Sequence, residues 1–332
     1  MRIAILSLCV LLLSACQTPP QEFELEGKAQ GTTFYIKYHG EKAVNLSKEI
    51  AASLTEIDES LSLWRPDSFI SKLNARKDSM IGIPKGDKHF LNNFKKSKLI
   101  FNESEGAFDP SVYPLVKAWG FGAIAPDSEE IPNVDSIKTA QHIGGFKVIL
   151  AEVAGENILI LPQGMELDFN AIAQGYSVDV IADLLEEKGI HDYMVEIGGE
   201  MKGAGSRTDG NPWRIGIDRP TAGERSLIHE VDVKNEALAT SGNYRKAVIR
   251  EGKRYSHTID PISGYPVTHN LLSATVITKD CASADAYATV CMVMGTEKAL
   301  EFAKKKHLEV YLIYDQDGKF MEVGTGRFAK QR

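Results

Sequence analysis

Asp285 and Thr289 stand four residues apart in the run Ser283-Ala284-Asp285-Ala286-Tyr287-Ala288-Thr289. The run reads as the first turns of a helix, which places the carboxylate and the hydroxyl on one face. An oxygen-only pair suits Mg²⁺, a hard cation that keeps waters and shares phosphate oxygens with its substrate. It does not suit structural Zn²⁺, which takes Cys or His. The competing explanation is an acidic residue favoured near a helix N-terminus by the helix dipole. His257 lies in Ser256-His257-Thr258-Ile259-Asp260-Pro261, followed by Ser263-Gly264-Tyr265-Pro266. An imidazole among hydroxyls and a carboxylate can serve as a general base. A structural histidine beside an Asp-Pro turn is the alternative.

Asp168-Phe169-Asn170-Ala171-Ile172-Ala173-Gln174-Gly175 sits at a strand-to-helix transition. Asp168 or Asn170 can cap the helix. The same helix end offers N–H groups and a positive dipole to an anion. Gly175 inside the helical pattern costs about 1 kcal/mol relative to Ala, so it marks a tight approach. Gly106-Ala107-Phe108-Asp109-Pro110 reads either as a glycine stop with an Asp-Pro turn or as a ligand-binding loop in which Asp109 accepts hydrogen bonds. Glu196-Ile197-Gly198-Gly199-Glu200 and Gly203-Ala204-Gly205 are flexible, small-residue stretches near strand ends, of a kind common in turns. Neither has the order or spacing of a P-loop or a dinucleotide fingerprint.

The elements that must hold these residues are readable from periodicity. Leu46, Ile50, Leu54, Ile57 and Leu61 follow helical spacing, capped by Asn45 or Ser47. Further helices are expected around Phe90–Phe101, Val134–Gln141, Ile172–Leu185, Ala282–Met294 and Glu297–Lys306. Strands are expected at 148–150, 158–161, 193–197, 213–217, 228–233, 244–250 and 271–278. A final hairpin turns at Asp317-Gly318. Helices come early, strands dominate the centre and helices return late. This order favours α+β in one large domain over strict alternation, with Gly144-Gly145 as the alternative boundary.

The chain of 332 residues has a net charge of -7, which disfavours a dedicated nucleic-acid binder. Met1-Arg2, an apolar run from Ile3 and then Leu13-Ser14-Ala15-Cys16 read as a secretory signal over 1–15, with Cys16 placed as in the bacterial lipoprotein box. Residues 16–22 then form a lipidated tether and 23–332 the folded unit, held outside the cytoplasm on a membrane. Cys281 and Cys291 would be about 15 Å apart along one helix, too far for a disulfide, and are expected as buried free thiols.

Together and in this order, the segments resemble the ApbE family of flavin transferases. The matching pieces are Ala29-Gln30-Gly31-Thr32-Thr33, Gly106 to Pro110 with Trp119-Gly120-Phe121-Gly122, Asp168 to Gly175, Glu196 to Gly199, Thr240-Ser241-Gly242-Asn243-Tyr244, Ser256 to Pro261 and Ala284-Asp285-Ala286. The resemblance runs from about Ala29 to Gly324. It implies a tunnelling-fold-like α+β domain with mixed or antiparallel sheets and packed helices. It also implies cleavage of FAD at the pyrophosphate, with FMN passed to a Thr or Ser hydroxyl of an acceptor protein and AMP released.

By position, the resemblance puts FAD contacts on Gln30, Trp64, Ala107, Phe108, Asp109, Asp168, Gln174 and Ile259. It puts Mg²⁺ ligands on Ala171 (through its carbonyl), Asp285 and Thr289, and the base on His257. Implied acceptors carry a Ser/Thr-Gly-Ala-Ser/Thr-type motif, as in subunits of membrane redox complexes. They favour the inner membrane, with the outer membrane as the alternative. Gln30 stands where the family generally has Met, Gln174 where Lys is frequent and Trp64 where Tyr is commoner. Asn170-Ala171 replaces a Gly or Ser/Thr pair, and Ala288 stands where some members carry a second Asp. With no lysine at 174, Mg²⁺ and backbone N–H groups must balance much of the diphosphate charge. The alternatives are an FAD pyrophosphatase, with water as acceptor, and a non-catalytic flavin-binding lipoprotein.

Overall fold

The computed structural model describes residues 21–40, 43–123, 130–221, 226–244 and 247–329. The expected signal segment and Cys16 lie outside the described residues. In chain order these residues form β1 (Gln21–Ala29), β2 (Thr32–Gly40), α1 (Ser47–Leu61), α2 (Phe69–Asn74), β3 (Met80–Gly82), α3 (Lys88–Glu103), α4 (Tyr113–Ala118) and α5 (Val134–Ile143). β4 (Ile149–Val153), β5 (Glu156–Ile160), α6 (Asn170–Glu187), β6 (Tyr193–Ile197), β7 (Glu200–Ala204), β8 (Trp213–Asp218), β9 (Leu227–Val233) and β10 (Glu236–Gly242) follow. The last third holds β11 (Ala247–Arg250), β12 (Lys253–Ser256), β13 (Leu271–Thr278), α7 (Cys281–Met294), α8 (Thr296–Lys306), β14 (Glu309–Gln316) and β15 (Lys319–Gly324).

β13 explains the layering. Its residues are buried on both faces, which requires cover on both sides of the sheet. It lies in an eight-stranded sheet of order β1-β2-β6-β7-β10-β13-β14-β15. Alternate residues divide between two cores. Ala274, Val276, Val310 and Leu312 pack with Ala288, Cys291 and Met292 of α7. Leu238, Ile277, Tyr311 and Ile313 face the β8–β9 hairpin through Ile215, Ile217, Val231 and Val233. Each fully buried aliphatic side chain contributes about 1.5–3 kcal/mol. The strand ladders are antiparallel throughout. The α+β expectation therefore holds, with antiparallel rather than mixed sheets.

Two local expectations are corrected. α1 begins after Leu46 with no side-chain cap, so neither Asn45 nor Ser47 fills that role; burial of Leu46, Ile50, Leu54, Ile57 and Leu61 fixes the helix instead. The sequence reading also gave no first hairpin. β1 and β2 pair across Gln30-Gly31, whose φ of 53° and 73° make the left-handed two-residue turn that matches strand twist. β1 starts at Gln21, so it overlaps the last two residues of the expected tether. Phe23, Leu25 and Ala29 pack on the core beneath α1 and α6, with Glu22, Glu24 and Glu26 alternating between them. That alternation is the signal that identifies the strand. Cys281 and Cys291 are buried free thiols, as expected.

Candidate active site

The site is organised by the contact between α6 and α7. A Cβ at Gly175 would meet the Cys281 carbonyl oxygen at 2.3 Å and the Asp285 Cβ at 2.8 Å. Only glycine lets the helices approach this closely. The Gly175 N–H donates to Asp285 Oδ2 at 3.1 Å. Helix geometry aims the same N–H at the Ala171 carbonyl, so carbonyl and carboxylate converge on one donor. Thr289 lies one turn along α7, with its hydroxyl 3.4 Å from Ser241 Oγ at the end of β10.

Burial pushes the Asp285 carboxyl up to about 7, and the Gly175 N–H offsets this only in part. A carbonyl, a carboxylate and a hydroxyl form a hard, oxygen-only donor set, and a buried carboxylate is relieved by a cation. These residues fit Mg²⁺. Among the described residues no group of three His, Cys, Asp or Glu side chains is placed to hold a metal.

The first hairpin and the β6–β7 turn close on the same stretch of α6. Gln30 Nε2 donates to Ser177 Oγ at 2.7 Å, and Gln174 Nε2 donates to the Ile197 carbonyl at 3.0 Å. Gly198 is a close-approach point, since a Cβ there would overlap Gln174 Nε2 at 1.6 Å. Gln174 is thus committed to backbone and leaves the cation role of a lysine unfilled. Asp58 is raised by burial despite facing Arg65 and a hydrogen bond from Gln30. Next to Arg65, the Trp64 side chain stands 63% exposed.

A second group lies before α6. The Asp168 N–H donates to the Pro110 carbonyl at 2.8 Å, which joins the 106–110 loop to the start of the helix. Asp168 Oδ1 accepts the Asn170 N–H at 2.7 Å, but the N-cap position is Phe169 and carries no side-chain cap, so neither Asp168 nor Asn170 is the capping residue expected from the sequence. Burial raises Asp168 to about 6. Asp109 is buried, and its oxygens already accept Ser111 N–H and Oγ at 2.8 and 2.6 Å and the Gly145 N–H at 3.0 Å. It organises the loop from within. Ala107 and Phe108 are buried in the largest core cluster.

His257 and Ile259 follow β12. Thr258 between them donates to Asn243 Oδ1 at 2.5 Å, just past Ser241, so this segment joins the Thr289 side of the site. The Phe121 ring packs edge-on to His257 at 6.4 Å. Ile259 belongs to a separate cluster with Leu115, Trp119, Ile137 and Ala140. The structure thereby ties Gln30, Ala171, Gln174, Asp285 and Thr289 to α6, α7 and β10, and Thr258 ties the 257–259 segment to Asn243 just past β10. Ala107, Phe108, Asp109 and Asp168 form the adjoining loop group, and Trp64 stays on the surface. A depression of about 790 Å³ lined by Lys117, Ser136, Thr139, Ile143 and Glu166 contains none of these residues. Its lysine is paired with Glu166 at 2.6 Å.

Sequence reasoning singled out neither Ser177 nor Asp179. Asp179 sits one turn from Gly175 on the face that meets α7, whereas Ser177 lies on a different face and meets Gln30; only the interior glycine hinted that the first face meets another backbone.

A family model described as the ApbE family matches residues 30–312. The chain is 36% identical over 324 residues to the FAD:protein FMN transferase of Vibrio cholerae, covering 96% of this chain and 95% of that protein. Among solved structures, the flavin transferase ApbE from Vibrio cholerae superposes with a TM-score of 0.82 at 35% identity over 93% of this chain and 99% of that one. The apo flavinyl transferase ApbE of Pseudomonas stutzeri gives a TM-score of 0.83 at 33% identity, covering 93% and 96%.

Proposed function

The chain belongs to the ApbE family, and from that premise we propose that it is an Mg²⁺-dependent FAD:protein FMN transferase acting on an extracytoplasmic acceptor. The observation that carries this reading is the Gly175–Asp285 contact. It presents a desolvated carboxylate, a backbone carbonyl and a nearby hydroxyl where the 168–175, 240–244 and 284–286 segments that resemble the family meet. Bound Mg²⁺ would supply charge neutralisation at the diphosphate.

The chain's own residues do the rest. Ala171, Asp285 and Thr289 would hold the metal. Trp64 offers an exposed aromatic face to a flavin or adenine ring. The acceptor hydroxyl oxygen forms a bond to the FMN phosphorus as the bond to AMP breaks, and His257 takes the hydroxyl proton. Gln174, bonded to Ile197, keeps the Gly198 turn closed beside α6. The signal pattern before Cys16 supports a lipid anchor on the outer face of the cell membrane.

The test is to incubate the protein with FAD, Mg²⁺ and an acceptor carrying a Ser/Thr-Gly-Ala-Ser/Thr motif. Flavin fluorescence retained on the denatured acceptor is the expected result. FMN and AMP free in solution without labelling would make the protein a pyrophosphatase, and bound FAD without turnover would make it a flavin-binding protein.

Two substitutions refine the assignment. His257→Ala is expected to slow transfer by roughly 10²–10⁴-fold with FAD affinity nearly unchanged in a fluorescence titration. Equal losses in both would make the imidazole structural. Trp64→Ala is expected to weaken FAD binding by about tenfold, as for loss of one stacking partner, without moving the thermal midpoint, because the ring is exposed. An unchanged FAD affinity would remove Trp64 from the site.

A further inference from the structure

Asp179 lies one turn beyond Gly175 on α6, and Cys281 lies one turn before Asp285 on α7. The two pairs face each other. Asp179 Oδ1 accepts the Cys281 N–H and Oδ2 the Ala282 N–H, both at 2.9 Å. In return, Asp285 on α7 accepts the Gly175 N–H of α6. Each helix thus gives a carboxylate to the other's backbone, four residues apart on both, and the helices run antiparallel across the contact.

The N-terminal donors of α7 are fully used. Asp280 accepts the Ser283 N–H at 2.9 Å and is itself paired to Lys96. The Asp280 carbonyl takes the Ala284 N–H at 3.3 Å. Since Asp280 already caps α7 in the ordinary way, Asp179 is not needed to begin the helix. What it adds is an axial lock between α7 and α6. Lys202 on β7 fixes the Asp179 carboxylate in turn, at 3.1 Å from Oδ1, with both side chains largely buried.

We propose that Asp179, held by Lys202, is a positioning residue for the metal site: it sets the travel of α7 along α6 and so delivers Asp285 and Thr289 to the Ala171 carbonyl. This rests on the reading of Asp285 as a metal ligand. Asp179 touches no ligand itself, and its effect runs through the α7 backbone. Outer partners of this kind typically change metal affinity by 10–100-fold when altered.

The test uses the full folded chain without FAD and Mn²⁺ as the probe, with free Mn²⁺ counted by electron paramagnetic resonance. Asp179→Asn keeps the volume and one acceptor oxygen. It is expected to weaken Mn²⁺ binding by about tenfold or more while retaining a cooperative thermal transition. In turnover, the Mg²⁺ concentration for half-maximal rate should rise by a similar factor, with kcat at saturating metal much less affected. Lys202→Met is expected to act in the same direction, and it decides the matter should Asp179→Asn fail to fold. Wild-type Mn²⁺ affinity in both variants, alongside loss of binding in Asp285→Asn, would overturn the positioning role alone. Wild-type affinity in Asp285→Asn would overturn the metal-ligand reading beneath it, and this proposal with it.

Discussion

Asp285→Asn is expected to abolish Mg²⁺-dependent transfer while making the metal-free protein more stable at neutral and alkaline pH. The two effects have one cause. The carboxylate is buried with the Gly175 N–H as its hydrogen-bond partner, and burial raises it from 3.8 to about 7. The unfolded chain releases this proton near 3.8, whereas the folded chain keeps it until about 7. The contribution to stability is therefore full below 3.8 and is lost as pH rises through about 7. An asparagine accepts the same N–H and carries no charge, so it should flatten this part of the pH profile. The gain in metal-free stability above pH 7 should be a few kcal/mol at most.

Activity should move the other way. Charge neutralisation by a bound metal contributes several kcal/mol to a transition state, and each 1.36 kcal/mol is tenfold in rate. A loss on the order of 10³-fold or more is expected. Thermal melts from pH 5 to 8 with and without Mg²⁺, set beside transfer rates, check both halves. Metal affinity in the wild type should also fall as pH drops through about 7, because the ligand must be deprotonated. A variant with undiminished Mg²⁺-dependent rate would remove Asp285 from the metal site.

Gly175→Ala is expected to be the most damaging small substitution in the molecule. Helix propensity alone favours it by about 1 kcal/mol. Against that stands a Cβ placed 2.3 Å from the Cys281 carbonyl oxygen and 2.7 Å from its carbon. Both obstacles are backbone, so no side-chain rotation relieves them, and overpacking costs about 1–3 kcal/mol even where neighbours can yield. The clash wins.

The helices must separate, which draws Asp285 from the Gly175 N–H and Cys281 from Asp179 together. A misplacement of about 1 Å costs on the order of 10²-fold in rate, so transfer should drop by at least that much alongside a lower thermal midpoint. Gly199→Ala is a useful contrast. Gly199 has φ of 114° but open space around its Cβ position, so its cost should be conformational and local. Wild-type stability and rate in Gly175→Ala would mean that the α6–α7 distance is not what sets the site.

The sequence by itself carried the ordered motifs whose family resemblance implies the reaction class, and it determined most of the elements. The i, i+4 spacing of Asp285 and Thr289, the interior glycine at 175 and the run of small-residue motifs are local, and local patterns are legible without coordinates. The same holds for α1, α3 and α8, whose apolar residues follow helical spacing. The first hairpin was hidden because Gln30 is an unusual residue at positive φ and the turn carries no Asn-Gly or Asp-Gly signal.

Only the tertiary structure decided which residues share a partner. Gly175 and Asp285 are 110 positions apart, and Asp179 meets Cys281 across 102. No pattern along the chain encodes those distances. They follow from two helices that cover one face of the sheet and bury alanine, glycine and cysteine where they meet. Asp109 illustrates the converse: its sequence context left a turn and a ligand contact both open, and the fold supplies its oxygens with donors from Ser111 and Gly145. A buried carboxylate takes the nearest donors available, and three-dimensional packing, not the motif, determines which donors those are.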